Sequence, residues 1–165
     1  MSTLASGATE TVSPAARTNL VRLLRAAREP LEVVVVERSA NYRYAGAAYN
    51  EHGTHWDHVF NIQAGRMSMF REDVDDFVSW ANDEADRAGW PDVWREHVFT
   101  SSGPAPRRIY PQYLRNRLHE AAREAADGVT LEEVSGEVES VTRHDGGLTL
   151  EIAEAGGRRT LAADR

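Results

Sequence analysis

Three histidines stand at regular three-residue spacing in the first half of the chain: His52, His55 and His58. Imidazole nitrogens are common zinc ligands, so three of them could hold a metal ion if they converged. Gly53 lies inside the run, and no apolar helix face supports it. Because this context is typical of a loop, we expect exposed or hydrogen-bonded histidines here and no metal site.

A second candidate group is the carboxylate of Glu37, which ends the run LEVVVVE at residues 31–37. Four consecutive valines indicate a strand, and such a continuous apolar run is typical of a strand covered on both faces in a parallel sheet. A helical pattern precedes it, as in the second half of a βαβ unit. In dinucleotide-binding units a carboxylate at this position binds a ribose hydroxyl. Many strands also end in a solvated glutamate, so this residue alone leaves both interpretations open.

Two adjacent arginines, Arg107 and Arg108, come just before a helix predicted over about residues 110–126. Guanidinium groups bind phosphate or carboxylate through paired hydrogen bonds. A solvated helix start explains the pair equally well. The sequence therefore leaves an anion site and a plain helix start as alternatives.

Other residue types that could do chemistry lack a supporting context. Ser68 and Ser101 are not in the G-x-S-x-G pattern of a nucleophile elbow. Asp75 and Asp76 fall in the first turn of a helix predicted over residues 71–89. We expect both to be surface carboxylates that complement the helix dipole. No general acid or base can be nominated.

The elements that position these groups form an α/β pattern. Helical periodicity covers about residues 13–30, 71–89 and 110–126, and period-two alternation begins at Val129. The turn sequence HDGG and the strands around it predict an antiparallel meander, with Gly136 as a possible bulge. We expect a short parallel sheet with Val33–Val36 at its centre and helices packed against it.

Composition excludes several classes of function. The 165 residues are 41% hydrophobic and 27% charged, as in a globular domain, and the formal net charge is −7. That charge disfavours nucleic acid as a partner. The absence of cysteine removes disulfides and thiolate metal sites. No apolar run approaches the roughly 18 residues of a membrane span, and the N-terminus lacks the features of a signal peptide. We therefore expect a cytoplasmic protein without membrane contact.

Five segments occur in an order that is familiar when they are taken together: EVVVVERS, AGAAYN, HVFNIQAGRMSMF, DDFVSWAN and APRRIYPQYLRNRL. In this order they resemble the N-terminal third of the FAD/NAD(P)-binding flavoprotein oxidoreductases of the glutathione-reductase-like type, which have two dinucleotide folds. The residues that carry the resemblance are Glu37, Gly46, Ala48, Tyr49, His58, Asn61, Arg66, Met67, Ser68, Phe77, Trp80, Pro106, Arg107, Tyr110, Tyr113 and Leu114. The resemblance implies a partial, Rossmann-like FAD-binding domain over residues 13–165, with a loose segment at residues 1–12.

The resemblance also implies a cofactor site for FAD, with NAD(P)H as electron donor. Its expected members are Glu37, Arg38, Asn61, Arg66, Met67, Ser68, Arg107 and Val138. Glu37 would bind the adenosine ribose, and Val138 would present its backbone to the adenine. Arg66, Met67 and Ser68 would line the region near the flavin or substrate. Arg107 would orient that segment or an anionic group.

The chain departs from this pattern at the phosphate loop. The family has G-x-G-x-x-G there, whereas the corresponding residues 11–16, TVSPAA, contain no glycine, and Pro14 lacks the N–H that could hold a phosphate. The family continues beyond the strand that ends here at Asp164 and Arg165. We therefore expect a truncated domain: a gene fragment, a chain with a misassigned start, or a piece that works with a partner chain or as a homo-oligomer.

Two functions follow from this resemblance. An active form would be an FAD-dependent NAD(P)H oxidoreductase or monooxygenase. The alternative is a non-catalytic remnant or accessory domain of the same lineage, which binds no flavin and acts through a partner chain. A histidine-based metal hydrolase is a third, weaker interpretation.

Overall fold

The computed structural model describes residues 14–164, so the predicted loose segment at residues 1–12 lies outside the described part. Five helices, four strands and two short 3-10 turns make up this part. In chain order they are α1 (Pro14–Ala26), β1 (Leu31–Glu37), α2 (Gly46–Tyr49), a 3-10 turn (Ala64–Arg66), α3 (Asp76–Asp83), α4 (Asp92–Arg95), a second 3-10 turn (Arg107–Ile109), α5 (Tyr110–Glu124), β2 (Val129–His144), β3 (Gly147–Glu154) and β4 (Gly157–Ala163).

The four strands form one sheet in the order β1-β2-β3-β4. Strand β1 runs parallel to the first half of β2, from Leu31 opposite Val129 to Glu37 opposite Ser135. The second half of β2 pairs antiparallel with β3, and β3 pairs antiparallel with β4. This arrangement confirms the predicted α/β class, with flanking helices and a C-terminal meander.

Strand β1 lies at the end of the sheet within the described residues, so the expectation of a central Val33–Val36 strand is wrong for this part of the chain. The other strands all lie on one side of β1. The first half of β2 pairs with β1, and the second half of β2 continues directly into the meander. The exposure of the valines agrees with the position of β1 at the end of the sheet. Val33 is buried, while Val34, Val35 and Val36 are only partly buried.

The predicted turn at HDGG joins β2 to β3, and Gly147 has a φ of 150°, which an L side chain rarely adopts. The bulge lies slightly further along than Gly136. The register of β2 against β3 shifts between Val138 and Ser140. Gly136 instead allows a close approach, because a Cβ at this residue would stand 2.7 Å from the carbonyl oxygen of Ala153.

Helix α3 is much shorter than the predicted span of residues 71–89. Val74, which falls inside the predicted span, is 57% exposed and precedes the helix. The early end has a clear cause in Arg87, whose guanidinium donates to the carbonyl oxygen of Ala81 at 2.6 and 3.2 Å. It also donates to Arg95 and His97 carbonyls at 2.8 and 2.9 Å. These bonds stabilise a loop where the apolar spacing would have continued a helix.

Aromatic side chains fill the space between α3 and α5. Phe77 and Trp80 come from α3, and Tyr110 and Tyr113 come from α5; all four are at most 4% exposed. The Phe77 and Tyr113 rings meet edge to face with centroids 5.2 Å apart, and the Trp80 and Tyr113 centroids are 5.4 Å apart. Such contacts add to the stabilisation from apolar burial. Helix α1 packs along α5 next to this cluster.

Asp76 is only partly exposed in this region, with 13% of its side chain accessible, which corrects its assignment as a surface carboxylate. Its Oδ1 lies 2.8 Å from Nη2 of Arg117, and its Oδ2 accepts a hydrogen bond from the Tyr113 hydroxyl at 2.6 Å. Burial alone would lower the pKa of Arg117, but hydrogen bonds to Glu84 and Asp76 raise it above its ordinary value. The side chain therefore stays charged and joins α3 to α5.

Candidate functional site

Glu37 lies at the C-terminal end of β1, where open α/β sheets bind ligands. Its side chain is partly buried, and its Oε1 accepts a hydrogen bond from the backbone N–H of Ser39 at 3.0 Å. Arg38 follows with an exposed side chain, 3.5 Å from Glu137. Val138 is the next residue of β2 and pairs with Ile152. The structure thus links Arg38 to the part of β2 that contains Val138.

Arg107 and Asn61 form a second group. The guanidinium of Arg107 donates from Nε to the carbonyl oxygen of Val59 at 2.9 Å and from Nη2 to Oδ1 of Asn61 at 2.5 Å. Its backbone N–H donates to the carbonyl oxygen of His58 at 2.8 Å. Arg107 therefore fastens the segment containing Asn61 to the start of α5.

The third group follows the first 3-10 turn. Arg66 ends that turn with an exposed side chain, whereas Met67 is only 7% exposed and belongs to the core. The hydroxyl of Ser68 lies 3.0 Å from the carbonyl oxygen of Phe70 and 2.5 Å from that of Asp73. Ser68 thus closes a local turn, and Arg66 is the member of this group with an exposed polar end.

The three histidines do not converge on a common point. The rings of His55 and His58 meet edge to face with centroids 5.5 Å apart, and Nδ1 of His58 accepts a hydrogen bond from the backbone N–H of His55 at 3.3 Å. Within residues 14–164 no three His, Asp or Glu side chains are grouped so that they could hold a metal ion. The local contacts are those of a loop.

One cavity was not predicted from the sequence. It is an open cleft of about 580 Å³ between the loop after β1 and the outer side of α5, and we call it the α5 cleft. Its lining residues are Ala40, Asn41, Arg43, Tyr44, Ala45, Glu51, His52, Trp56, Asp86, Gly89, Trp90, Arg108, Ile109, Pro111, Gln112, Arg115, His119 and Glu133. None of the eight residues expected at the cofactor lines it.

A hydrogen-bonded cluster forms one wall of the α5 cleft. The hydroxyl of Tyr44 donates to Oε1 of Glu133 and lies 3.1 Å from Nε2 of His119, which in turn lies 2.8 Å from Oε2 of Glu133. Burial and the bond to Glu133 raise the pKa of Tyr44 well above its usual range, while Arg43 and Arg115 oppose that rise. The phenol therefore stays protonated as a donor.

One sequence signal could have pointed to this cleft. Arg108, Gln112, Arg115 and His119 recur at intervals of four, three and four residues, which puts polar side chains on one side of a helix. The contribution of Tyr44 could not be foreseen, since its φ of 71° is unusual for a bulky side chain.

Comparison with known proteins identifies the family. The family model described as FAD-NAD(P)-binding matches residues 14–165, so the chain belongs to the FAD-NAD(P)-binding family. The resemblance to FAD/NAD(P)-binding flavoproteins is thereby confirmed.

A solved structure similar to this chain is that of lysine monooxygenase NbtG from Nocardia farcinica, with 14% sequence identity and a TM-score of 0.47. The similarity covers 93% of this chain and 39% of that one. No curated protein matches the chain. Within the described residues no helix is long and apolar enough to cross a membrane.

The residues fit one end of FAD better than the other. Glu37 has a second carboxylate oxygen that makes no hydrogen bond to another described residue, as a ribose acceptor requires. At the pyrophosphate end, helix α1 begins at Pro14, which has no N–H, and residues 11–16 contain no glycine. The described part of the chain therefore has a free carboxylate oxygen at the end of β1 and lacks the usual phosphate cradle at the start of α1.

Proposed function

We propose that this chain is the flavin-binding part of an FAD-dependent oxidoreductase or monooxygenase that uses NAD(P)H. Membership of the FAD-NAD(P)-binding family is the observation that carries the proposal. The parallel β1–β2 pair supports it, since Glu37 ends β1 at the edge where such sheets bind ligands. When bound, FAD supplies the redox chemistry, and the chain's part is to hold and orient it.

Glu37 is the residue we assign to the adenosine ribose. The N–H of Ser39 binds Oε1 and so fixes the carboxylate, which leaves the other oxygen for a ribose hydroxyl. Val138 is assigned to the adenine through its backbone, beside the register shift of β2. Arg38 directly follows Glu37 and lies 3.5 Å from Glu137, the neighbour of Val138, so it is assigned to the same end of the cofactor.

The flavin end is assigned to the segment that Arg107 fastens. Arg107 and Asn61 act as positioning residues, since the bond between them is satisfied within the chain. Met67 and Ser68 hold the turn, while the exposed guanidinium of Arg66 is available for an anionic or carbonyl group. In this proposal the phosphate donors come from another segment or from a partner chain.

A titration with FAD tests the proposal. Four tryptophans, Trp56, Trp80, Trp90 and Trp94, report flavin binding by quenching of their fluorescence, and the visible flavin spectrum gives a second readout. We expect saturable binding well below about 100 μM FAD, since functional cofactor sites bind more tightly than that. Glu37→Gln should weaken binding about tenfold, because it removes a charged acceptor.

Glu32→Gln is the matched control, because Glu32 lies on the same strand with an exposed side chain and the same charge. It should leave FAD binding unchanged. Absence of quenching and of retained flavin at about 100 μM would instead support the accessory domain that binds no flavin. Size-exclusion chromatography and cell fractionation would then test the partner chain or homo-oligomer and the cytoplasmic location, which stay predictions.

A further inference from the structure

We propose that the α5 cleft binds a small aromatic carboxylate. This site is separate from the one proposed for FAD, because none of the residues assigned to the cofactor lines the cleft. Its volume of about 580 Å³ lies within the range of small-molecule pockets. Three features of the cleft support such a ligand: its cations, its aromatic wall and the rigid wall that Tyr44 helps to form.

Three guanidinium groups line the cleft with donors to spare. Arg43, Arg108 and Arg115 form no ion pair with any residue in the part of the chain described. The Nε of Arg43 is buried and has no hydrogen-bond partner among residues 14–164, and a buried donor left in this state is costly. A carboxylate in the cleft would give the accessible nitrogens of these guanidinium groups a charged partner, which no ion pair within the described residues provides.

Carboxylates also line the cleft, and they limit the charge of the ligand. Glu133 is occupied by Tyr44 and His119, and Asp86 accepts a hydrogen bond from the backbone N–H of Ala88 at 3.0 Å. These groups would repel a phosphate dianion more than a single carboxylate. A monoanion with two acceptor oxygens is therefore the better match for the arginine forks.

An aromatic wall of the cleft would contact the apolar part of the ligand. Trp56 and Trp90 both line the cleft, with ring centroids 5.7 Å apart and planes inclined by 54°. The guanidinium of Arg108 lies over Trp56 at 4.7 Å from the ring centroid, which fixes its orientation before any ligand arrives. An aromatic ring next to these indoles would bury apolar surface, and its carboxylate would reach Arg108.

The wall that contains Tyr44 is held in place by the contacts of this residue. Its φ of 71° is strained for a bulky residue, and the bonds of its hydroxyl to Glu133 and His119 stabilise it in that conformation. The wall therefore keeps its shape without a ligand. Such preorganisation reduces the entropic cost of binding.

Isothermal titration of the whole chain with 2-naphthoate tests the proposal. We expect saturable binding with a Kd below about 1 mM, no binding of 2-naphthalenemethanol, and no competition by inorganic phosphate. Arg115→Gln should weaken naphthoate binding about tenfold, as expected for the loss of a charge-assisted contact. Arg123→Gln is the matched control, because Arg123 is an exposed arginine of the same helix outside the cleft, and it should have no effect.

Several results would overturn this inference. They are no heat of binding, equal losses in both arginine variants, or equal affinity for the uncharged alcohol. Displacement of naphthoate by FAD would also overturn it, because the cleft would then belong to the cofactor. Glu37→Gln should leave naphthoate binding unchanged, so failure of this site and failure of the proposed flavin site are distinguishable.

Discussion

Replacing Arg117 by methionine should remove the cation that joins α3 to α5 while keeping an unbranched apolar side chain in its place. The Arg117 side chain is only 7% exposed. Its guanidinium lies 2.8 Å from Asp76, 2.8 Å from Glu84 and 3.3 Å from Glu120. The substitution therefore leaves three carboxylates without their shared partner.

The cost can be estimated from the exposure of those carboxylates. Breaking a buried ion pair by removing one partner costs about 3–5 kcal/mol. The side chains of Glu84 and Glu120 are 48% and 33% exposed, so water can replace much of what they lose. Asp76 is only 13% exposed and keeps just the hydrogen bond from Tyr113. We expect a loss near the lower end of that range, about 3 kcal/mol.

Urea unfolding followed by tryptophan fluorescence measures this loss, with the slope of the transition checked for a change in cooperativity. Arg22→Met is the matched control, because Arg22 pairs with Glu72 at 3.0 Å but the two side chains are 49% and 64% exposed. It should cost less than about 1 kcal/mol. A loss in the Arg117 variant no larger than in the control would refute the reasoning, since packing alone would then replace the buried network.

Three further changes can be measured by the same assay. Gly65→Ala should cost about 1–3 kcal/mol, because its Cβ would stand 2.7 Å from Cβ of Ser101; an unchanged midpoint would contradict this. Tyr113→Phe should cost about 1–3 kcal/mol through two lost buried hydrogen bonds. The hydrogen bond from Arg117 holds the pKa of Glu84 below its usual value of 4.5. The ionised Glu84 therefore stabilises the fold above about pH 4.5, and this stabilisation is lost as the pH falls through the lowered pKa. The Arg117 variant should lose less stability with acid than the parent.

The strands could be predicted from sequence because their signals are local. The run LEVVVVE has the same bounds as β1, and period-two alternation from Val129 coincides with the start of β2. The apolar spacing of α5 likewise gives a helix close to its observed span of Tyr110–Glu124. In each case neighbouring residues contain the information that sets the element.

The end of α3 depends on Arg87, which lies six positions after Ala81, and the partial burial of Asp76 depends on a residue much further along the chain. Arg87 binds carbonyl groups before and after the helix end, and this contact outweighs an apolar pattern that extends to about residue 88. Asp76 meets Arg117 across 41 positions. A carboxylate in a first helical turn has the same local sequence context whether it faces water or a buried arginine, so periodicity could not distinguish the two.

The α5 cleft was missed for a related reason. Tyr44 reaches His119 and Glu133, which lie 75 and 89 positions later, and it does so through a backbone conformation that its residue type disfavours. The cofactor candidates were easier to list, because the family resemblance supplies them directly. Their roles still depend on groups whose contacts only the structure reveals.

By their contacts, the residues expected at the cofactor fall into two groups. Asn61, Arg107 and Ser68 use their polar groups within the chain, and Met67 is part of the core. A chain with this fold needs them with or without a cofactor, so their presence is explained by folding even where the glycine loop is missing. Arg66 has an exposed side chain. The proposed flavin site therefore depends on the carboxylate of Glu37 and on this guanidinium, which makes Glu37→Gln a more decisive test than any change in the PRRIY segment.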